Sequence, residues 1–263
     1  MKKSGYLIFG LSILLSCQPV PITGRSQLHL IPQTQMLALS FETYSNFLAT
    51  HPTIKNGADV EMVRRVGSEI QGAVQKYFQE NKMQNRLKYY KWEYNLIKDS
   101  MVNAWAMPGG KVGVYTGILP ITQNDTGLAV VLGHEIAHAV ANHGDERMSQ
   151  ALLVQAGGLA LAQALAKKPE LTRQLALAAF GLGTEVGLLL PYSRLHESEA
   201  DQLGLVFMAM AGYDPNSAVG FWERMSKKGG GAVPEFLSTH PSDKSRIDNI
   251  KRKIPKAMKY YRK

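Results

Sequence analysis

The sequence predicts an α+β fold, mostly helical with a small sheet. Three observations carry that expectation: apolar residues recur at helical spacing in two N-terminal stretches, one short segment alternates as a strand does, and residues 127 to about 212 are helical in character. With 263 residues, 45% of them apolar, the chain is long enough to bury a real core. Its 24 Gly and 12 Pro follow no period that would mark a fibrous or low-complexity chain.

The elements follow in order. Residues 18–27 read as a tether without helical or strand pattern, within a linker expected over 17–32. A helix is expected over 34–49, where Met36, Leu37, Phe41, Tyr44, Phe47 and Leu48 give a broad apolar face that His51-Pro52 ends. A second helix is expected from Asp59, read as its N-cap, with Val60, Val63, Val66, Ile70 and Val74 on one face. Tyr90, Trp92, Tyr94 and Leu96 alternate with more polar neighbours, as in a half-buried strand. Residues 101–107 and 111–119 flank Pro108-Gly109-Gly110 and read as a strand pair closed by a tight turn. The long helical region stops at Gly212-Tyr213-Asp214-Pro215. Inside it, residues 151–166 and 174–190 are strongly apolar but short or interrupted by Gly. They read as buried helices beside an active-site loop, with membrane-dipping helices the other reading. Residues 33–263 are expected to form one domain.

One cysteine excludes a disulfide framework and any zinc finger built from cysteines. Lys and Arg number 30 against 21 Asp and Glu, a formal charge of +9 that suits anionic partners without naming one. At the N-terminus Lys2 and Lys3 precede an apolar run of secretory-signal layout, too short to span a bilayer. That run ends in Leu14-Leu15-Ser16-Cys17 and resembles a bacterial lipoprotein signal. The resemblance implies cleavage after residue 16, lipidation of Cys17 and, with Gln at position 18, residence in the outer membrane facing the periplasm.

The sharpest chemical signal is His134-Glu135-Ile136-Ala137-His138. Residues four apart share a helix face, so both imidazoles can reach one metal ion while Glu135 sits beside it to handle a proton. Catalytic zinc takes three protein ligands, so a third is needed. Ala141 and Gly144 stand where an extended histidine motif would have Gly and His. The alternative is an acidic residue from a second helix, and Glu197 and Asp201 share a face there. One can ligate while the other takes the free ring N–H of a ligand histidine.

In combination, HEIAH, ESEAD (Glu197 to Asp201), VPITGRSQ (20–27), NAWAMPGG (103–110), His143-Gly144 and Ser238-Thr239-His240-Pro241 with Arg246 resemble the gluzincin family that includes HtpX, BepA, LoiP and the CAAX prenyl proteases. The nearest likeness is to periplasmic LoiP-like lipoproteins. The resemblance implies a zincin-type metallopeptidase fold whose sheet has an edge strand bordering the cleft. It further implies one zinc per chain on His134, His138 and Glu197, with Glu135 as general base, Asp201 supporting a ligand histidine and Glu199 a mere neighbour. His240 either blocks the water position or stabilises an oxyanion, and the run Gly229-Gly230-Gly231 upstream reads either as a point of movement or as a plain loop. Asn103 lies on the edge strand where substrate pairs. The implied activity is endopeptidase cleavage of misfolded or misassembled envelope proteins. The alternative is a latent or non-proteolytic, chaperone-like factor on the same fold.

His196 is not expected to ligate, and no nucleic-acid partner is expected. His29 and His51 read as loop residues, and Trp92, Trp105 and Trp222 as packing. The basic residues from Lys251 to Lys263 read as a solvated helix end or as a contact with anionic lipid.

Overall fold

The computed structural model describes residues 17–227, 235–240 and 244–262. The signal expected over 1–16 and the run Gly229-Gly230-Gly231 lie outside the described residues. Along the chain come β1 (Cys17–Pro19), β2 (Ser26–Leu28), α1 (Gln33–Thr50), β3 (Thr53–Ile54), α2 (Ala58–Glu80), β4 (Glu93–Ile97), β5 (Ala104–Met107) and β6 (Lys111–Tyr115). A short α3 (Leu119–Thr122) leads into α4 (Asp125–Val140), α5 (His143–Ala164) and α6 (Glu170–Thr184). A π turn, Glu185–Leu189, joins α6 to α7 (Leu190–Met210), and α8 (Ser217–Lys227), α9 (Glu235–Thr239) and α10 (Lys244–Ala257) follow. The architecture is thus α+β, mostly helical with a small sheet.

The chain divides into two compact units: Thr34–Ala141 with Glu197–Lys263, and the residues before Thr34 with Asn142–His196. In the larger unit the sheet order is β3-β4-β6-β5, with β4 and β6 parallel and β5 antiparallel to β6 at one edge. The turn between β5 and β6 needs positive φ at Gly109 (86°) and Gly110 (84°), a conformation that side chains disfavour. β4 starts at Glu93, later than the alternation suggests. Tyr94, Asn95, Leu96 and Ile97 are all buried, because this strand is internal to the sheet and covered by α2. α2 begins at Ala58 with Gly57 as its cap, which corrects the assignment of Asp59. Asp59 and Glu61 sit instead in the first turn, where their charges favour the free N–H groups. α4 is buried from Gly127 to Val140 and packs against β5, α2 and α8, as a helix apolar on every side must.

In the smaller unit the segment read as a tether forms an antiparallel pair, β1 with β2, and buries Val20 and Gln27. Arg25 donates to both carboxylate oxygens of Glu146 at 2.8 and 2.7 Å, and Gln27 donates to the same group at 3.1 Å. His196 Nε2 lies 2.8 Å from Glu146 and its ring stacks on His143. The apolar stretches 151–166 and 174–190 are helical but not buried: no residue from 151 to 195 is buried within the protein. Apolar spacing reports what a helix would shed from water, not what covers it.

Candidate metal centre

α4 is capped by Asn124, whose side chain accepts from the Gly127 N–H at 2.9 Å. Two turns on, Gly133 meets Gly204 of α7. A Cβ on Gly204 would sit 2.9 Å from both the Gly133 carbonyl carbon and the His134 nitrogen. The two backbones therefore touch, one residue before His134. Glu197, Asp201 and Gly204 follow the i, i+4, i+7 spacing, so one face of α7 presents both carboxylates at this contact.

The consequence is a cluster of donors. His134 Nε2 and His138 Nε2 are 3.1 Å apart. Glu197 Oε2 is 3.3 Å from the first and Oε1 is 3.2 Å from the second. Asp201 Oδ1 lies 3.1 Å from His134 Nδ1, on the far side of the ring, so that ring N–H is taken and the Nε2 lone pair faces the cluster. His240 adds Nδ1, 3.1 Å from His134 Nε2 and 2.9 and 3.0 Å from the Glu197 oxygens. Donor atoms of His134, His138, Glu197 and His240 all lie within 4.8 Å of one another. Four donors around one zinc at ~2.0 Å stand about 3.3 Å apart. The spacing and the mixed imidazole and carboxylate chemistry fit that ion.

The remaining expected residues fall as follows. Glu135 is buried on α4, with Oε1 3.4 Å from His240 Nε2. Glu199 is buried outside the donor cluster, and His196 belongs to the Glu146 network of the other unit. Asn103 precedes the edge strand β5. Its Oδ1 accepts from the Ala104 N–H at 2.9 Å and its carbonyl accepts from Tyr115 at 3.1 Å. Cys17 opens β1, its backbone opposite Leu28.

Two contributors had no role assigned from sequence. Arg246 of α10 donates to both Asp201 oxygens at 2.8 and 3.1 Å and stands 3.2 Å from Glu197. Its guanidinium lies over the Trp222 ring at 3.7 Å, and Trp222 meets the His134 ring edge-on. Phe236 holds the His240 segment: its N–H donates to Val102 at 3.0 Å and its ring lies against Trp222 and His240. An arginine six residues beyond a motif histidine and a glycine inside each of two apolar helices were the available signals.

Electrostatics follows from burial set against pairing. Burial disfavours charge on His134, yet hydrogen bonds to Asp201 and Glu197 outweigh it and hold its pKa at about 9. Burial likewise opposes charge on Glu197. The surrounding His134, His138 and His240 overcome it and hold this carboxyl far below the usual range. Asp201 is lowered against its own burial by Arg246 and His134. Glu135 is the exception: burial pushes its carboxyl up, and the nearby cations offset this only in part.

Residues 67–254 match the family described as Peptidase family M48. The chain is 43% identical over 169 residues to the mitochondrial metalloendopeptidase OMA1 of Schizosaccharomyces pombe, covering 64% of this chain and 48% of that protein. It is 31% identical over 261 residues to human mitochondrial OMA1, covering 96% and 49%. The metalloprotease YcaL of Escherichia coli is 30% identical over 161 residues, 61% of each chain. The chain spans about half the length of the OMA1 relatives it matches. By its match over most of its length, and with a donor set suited to zinc, the chain belongs to peptidase family M48, a family of zinc metalloendopeptidases.

Proposed function

We propose that this chain is a zinc-dependent endopeptidase with His134, His138 and Glu197 as its metal ligands. The observation that carries the reading is a buried acid, Glu135, with an upward-shifted pKa beside three donors at tetrahedral spacing. Zinc, when bound, supplies a Lewis acid that polarises the scissile carbonyl and eases deprotonation of water. The protein's own groups do the rest. Glu135 takes the proton of the attacking water and returns it to the leaving amine, a role suited to a carboxyl whose pKa burial raises. Asp201, held by Arg246, keeps the Nδ1 proton of His134 in place so that Nε2 stays available to the metal. Among the described residues β5 is an edge strand of the sheet, where backbone groups can pair with an extended peptide, and Asn103 immediately precedes it.

A second reading, latency, is favoured by His240. Its Nδ1 stands as a fourth donor, and zinc sites with four protein ligands are closed to substrate. On this reading His240 must leave for water to enter, and once displaced it is placed to steady an oxyanion. The lipobox-like run ending at Cys17 supports a lipid-anchored protein of a bacterial envelope, outer membrane and periplasmic side, as in LoiP-like lipoproteins, acting on misfolded envelope proteins.

The test pairs zinc content with casein cleavage for the form starting after Cys17 and for Glu135→Gln. One zinc in both, with cleavage only in the first, supports the mechanism; cleavage by Glu135→Gln refutes it. His240→Ala separates the two roles of that residue, since a rise in turnover marks a block and a fall marks an oxyanion partner.

A further inference from the structure

The α5–α6 hairpin poses a physical problem. Leu152, Leu153 and Leu159 on α5 and Leu171, Leu175, Leu182 and Val186 on and after α6 are between 44% and 68% exposed. The helix running Glu170–Met210 is long and apolar enough to cross a membrane, and none of its most apolar window is buried within the protein. So much apolar surface left in water opposes the fold that displays it.

The geometry points to what covers it. Phe180 of α6 lies over Gly157 and Gly158 of α5, which fixes the inner faces of the hairpin. At 100° per residue, Leu152 and Leu159 then lie on the side of α5 turned away from α6. Leu171, Leu175 and Leu182 lie on the side of α6 turned away from α5. Leucines therefore point outward on two opposite sides. A second copy of the chain or a protein partner docks on one side, whereas lipid surrounds a hairpin. Length and charge agree. Residues 151–166 carry no charge, and their helical part, 151–164, spans about 21 Å. The tip carries Lys167 and Lys168, with Arg173 paired to Glu170 at 2.5 Å, a net positive charge whose two long lysine side chains can reach headgroups at the edge of a hydrocarbon core of about 30 Å. Glu185, the single charge between 174 and 193, stands at the π turn.

We propose that the α5–α6 hairpin enters a lipid bilayer, apolar on both sides and cationic at its tip toward anionic headgroups. This contact is separate from any acyl anchor at Cys17 and does not depend on the chain being a protease.

The only cysteine is Cys17, so Cys17→Ser in the full-length chain gives a background for single labels. An environment-sensitive fluorophore is placed in turn on Leu159→Cys, on Leu182→Cys and, as control, on Lys76→Cys at the exposed surface of α2. The protein is added to vesicles of phosphatidylethanolamine and phosphatidylglycerol with nitroxide-labelled acyl chains, and only the vesicle-bound fraction is read. Expected is quenching of at least about twofold at both hairpin positions and none at the control. Zinc content equal to that of the parent shows that the variants are folded. Quenching on one side only, or on neither, overturns the proposal. So does shielding of the labels that grows with protein concentration in the absence of vesicles, which would mark a second copy as the occupant.

Discussion

Replacing Gly204 by Ala tests whether the glycine contact between α4 and α7 sets the metal geometry. The added Cβ would stand 2.9 Å from the Gly133 carbonyl carbon and the His134 nitrogen, against at least 3.4 Å for an ordinary contact. Both obstacles are main chain, so no side chain can swing aside and the helices must separate by about half an ångström. Two energies compete. Alanine favours the helix over glycine by about 0.5–1 kcal/mol, whereas overpacking a tight contact costs about 1–3 kcal/mol. The net is a loss of about 1–2 kcal/mol, or roughly 2–6 °C in Tm for a domain of this size. The metal site is the more sensitive reporter. Zinc sites tolerate displacements of about 0.2 Å, so a shift of about half an ångström between the helix bearing His134 and His138 and the helix bearing Glu197 should lower zinc affinity by about tenfold or more. Competition with a calibrated chelator reads the affinity, and thermal unfolding of the metal-free chain reads the packing. A variant with unchanged zinc affinity and a higher Tm would refute the reasoning, because helix propensity alone would then account for the substitution.

Other perturbations address the supporting contacts. Asp201→Asn removes the anion that fixes the His134 tautomer and that Arg246 clamps, and should weaken zinc binding by about 10–100-fold; affinity equal to the parent would show that Asp201 serves packing alone. The pKa of His134, about 9 in the metal-free chain against 6.5 ordinarily, means that its ion pairs stabilise fully below pH 6.5 and are lost as the pH rises to 9. The metal-free Tm should fall over that window while zinc affinity climbs, as proton and metal compete for the ring. Affinity flat from pH 6.5 to 9 would contradict this. In the smaller unit Arg25→Ala leaves Glu146 to Gln27 and His196 alone and should cost about 2 kcal/mol, read as faster hydrogen exchange at residues 20–30 and 143–150. Glu146, held at about 2 by Arg25 and His196 against its own burial, contributes stability that is present above pH 4.5 and fades as the pH falls toward 2. Unchanged exchange in the variant would remove the clamp from the account.

What could be read from the sequence was what repeats along one element. His134 and His138 belong to one helix, so their spacing alone places both rings on one face, and the burial of α4 follows from its unbroken apolar run. Glu197 required a second helix and came from the resemblance. No pattern within one segment states that α7 crosses α4 at Gly204, that Arg246 seats itself between Asp201 and Trp222, or that Phe236 anchors His240 to Val102. Those are contacts between residues far apart in the chain, set by packing. The same distinction explains two of the errors of reading. Asp59 has the chemistry of a cap, but Gly57 supplies the positive φ of 118° from which the helix starts, and so the acid moves into the first turn. Residues 151–190 have the composition of a buried core, and composition records only aversion to water. Of the two solvents that satisfy that aversion, protein would require facing apolar surface, and none from within the described chain covers either outer side of the hairpin. Lipid requires apolar length, little charge and a polar tip, and the hairpin offers these with Glu185 the single charge within 151–166 and 174–190.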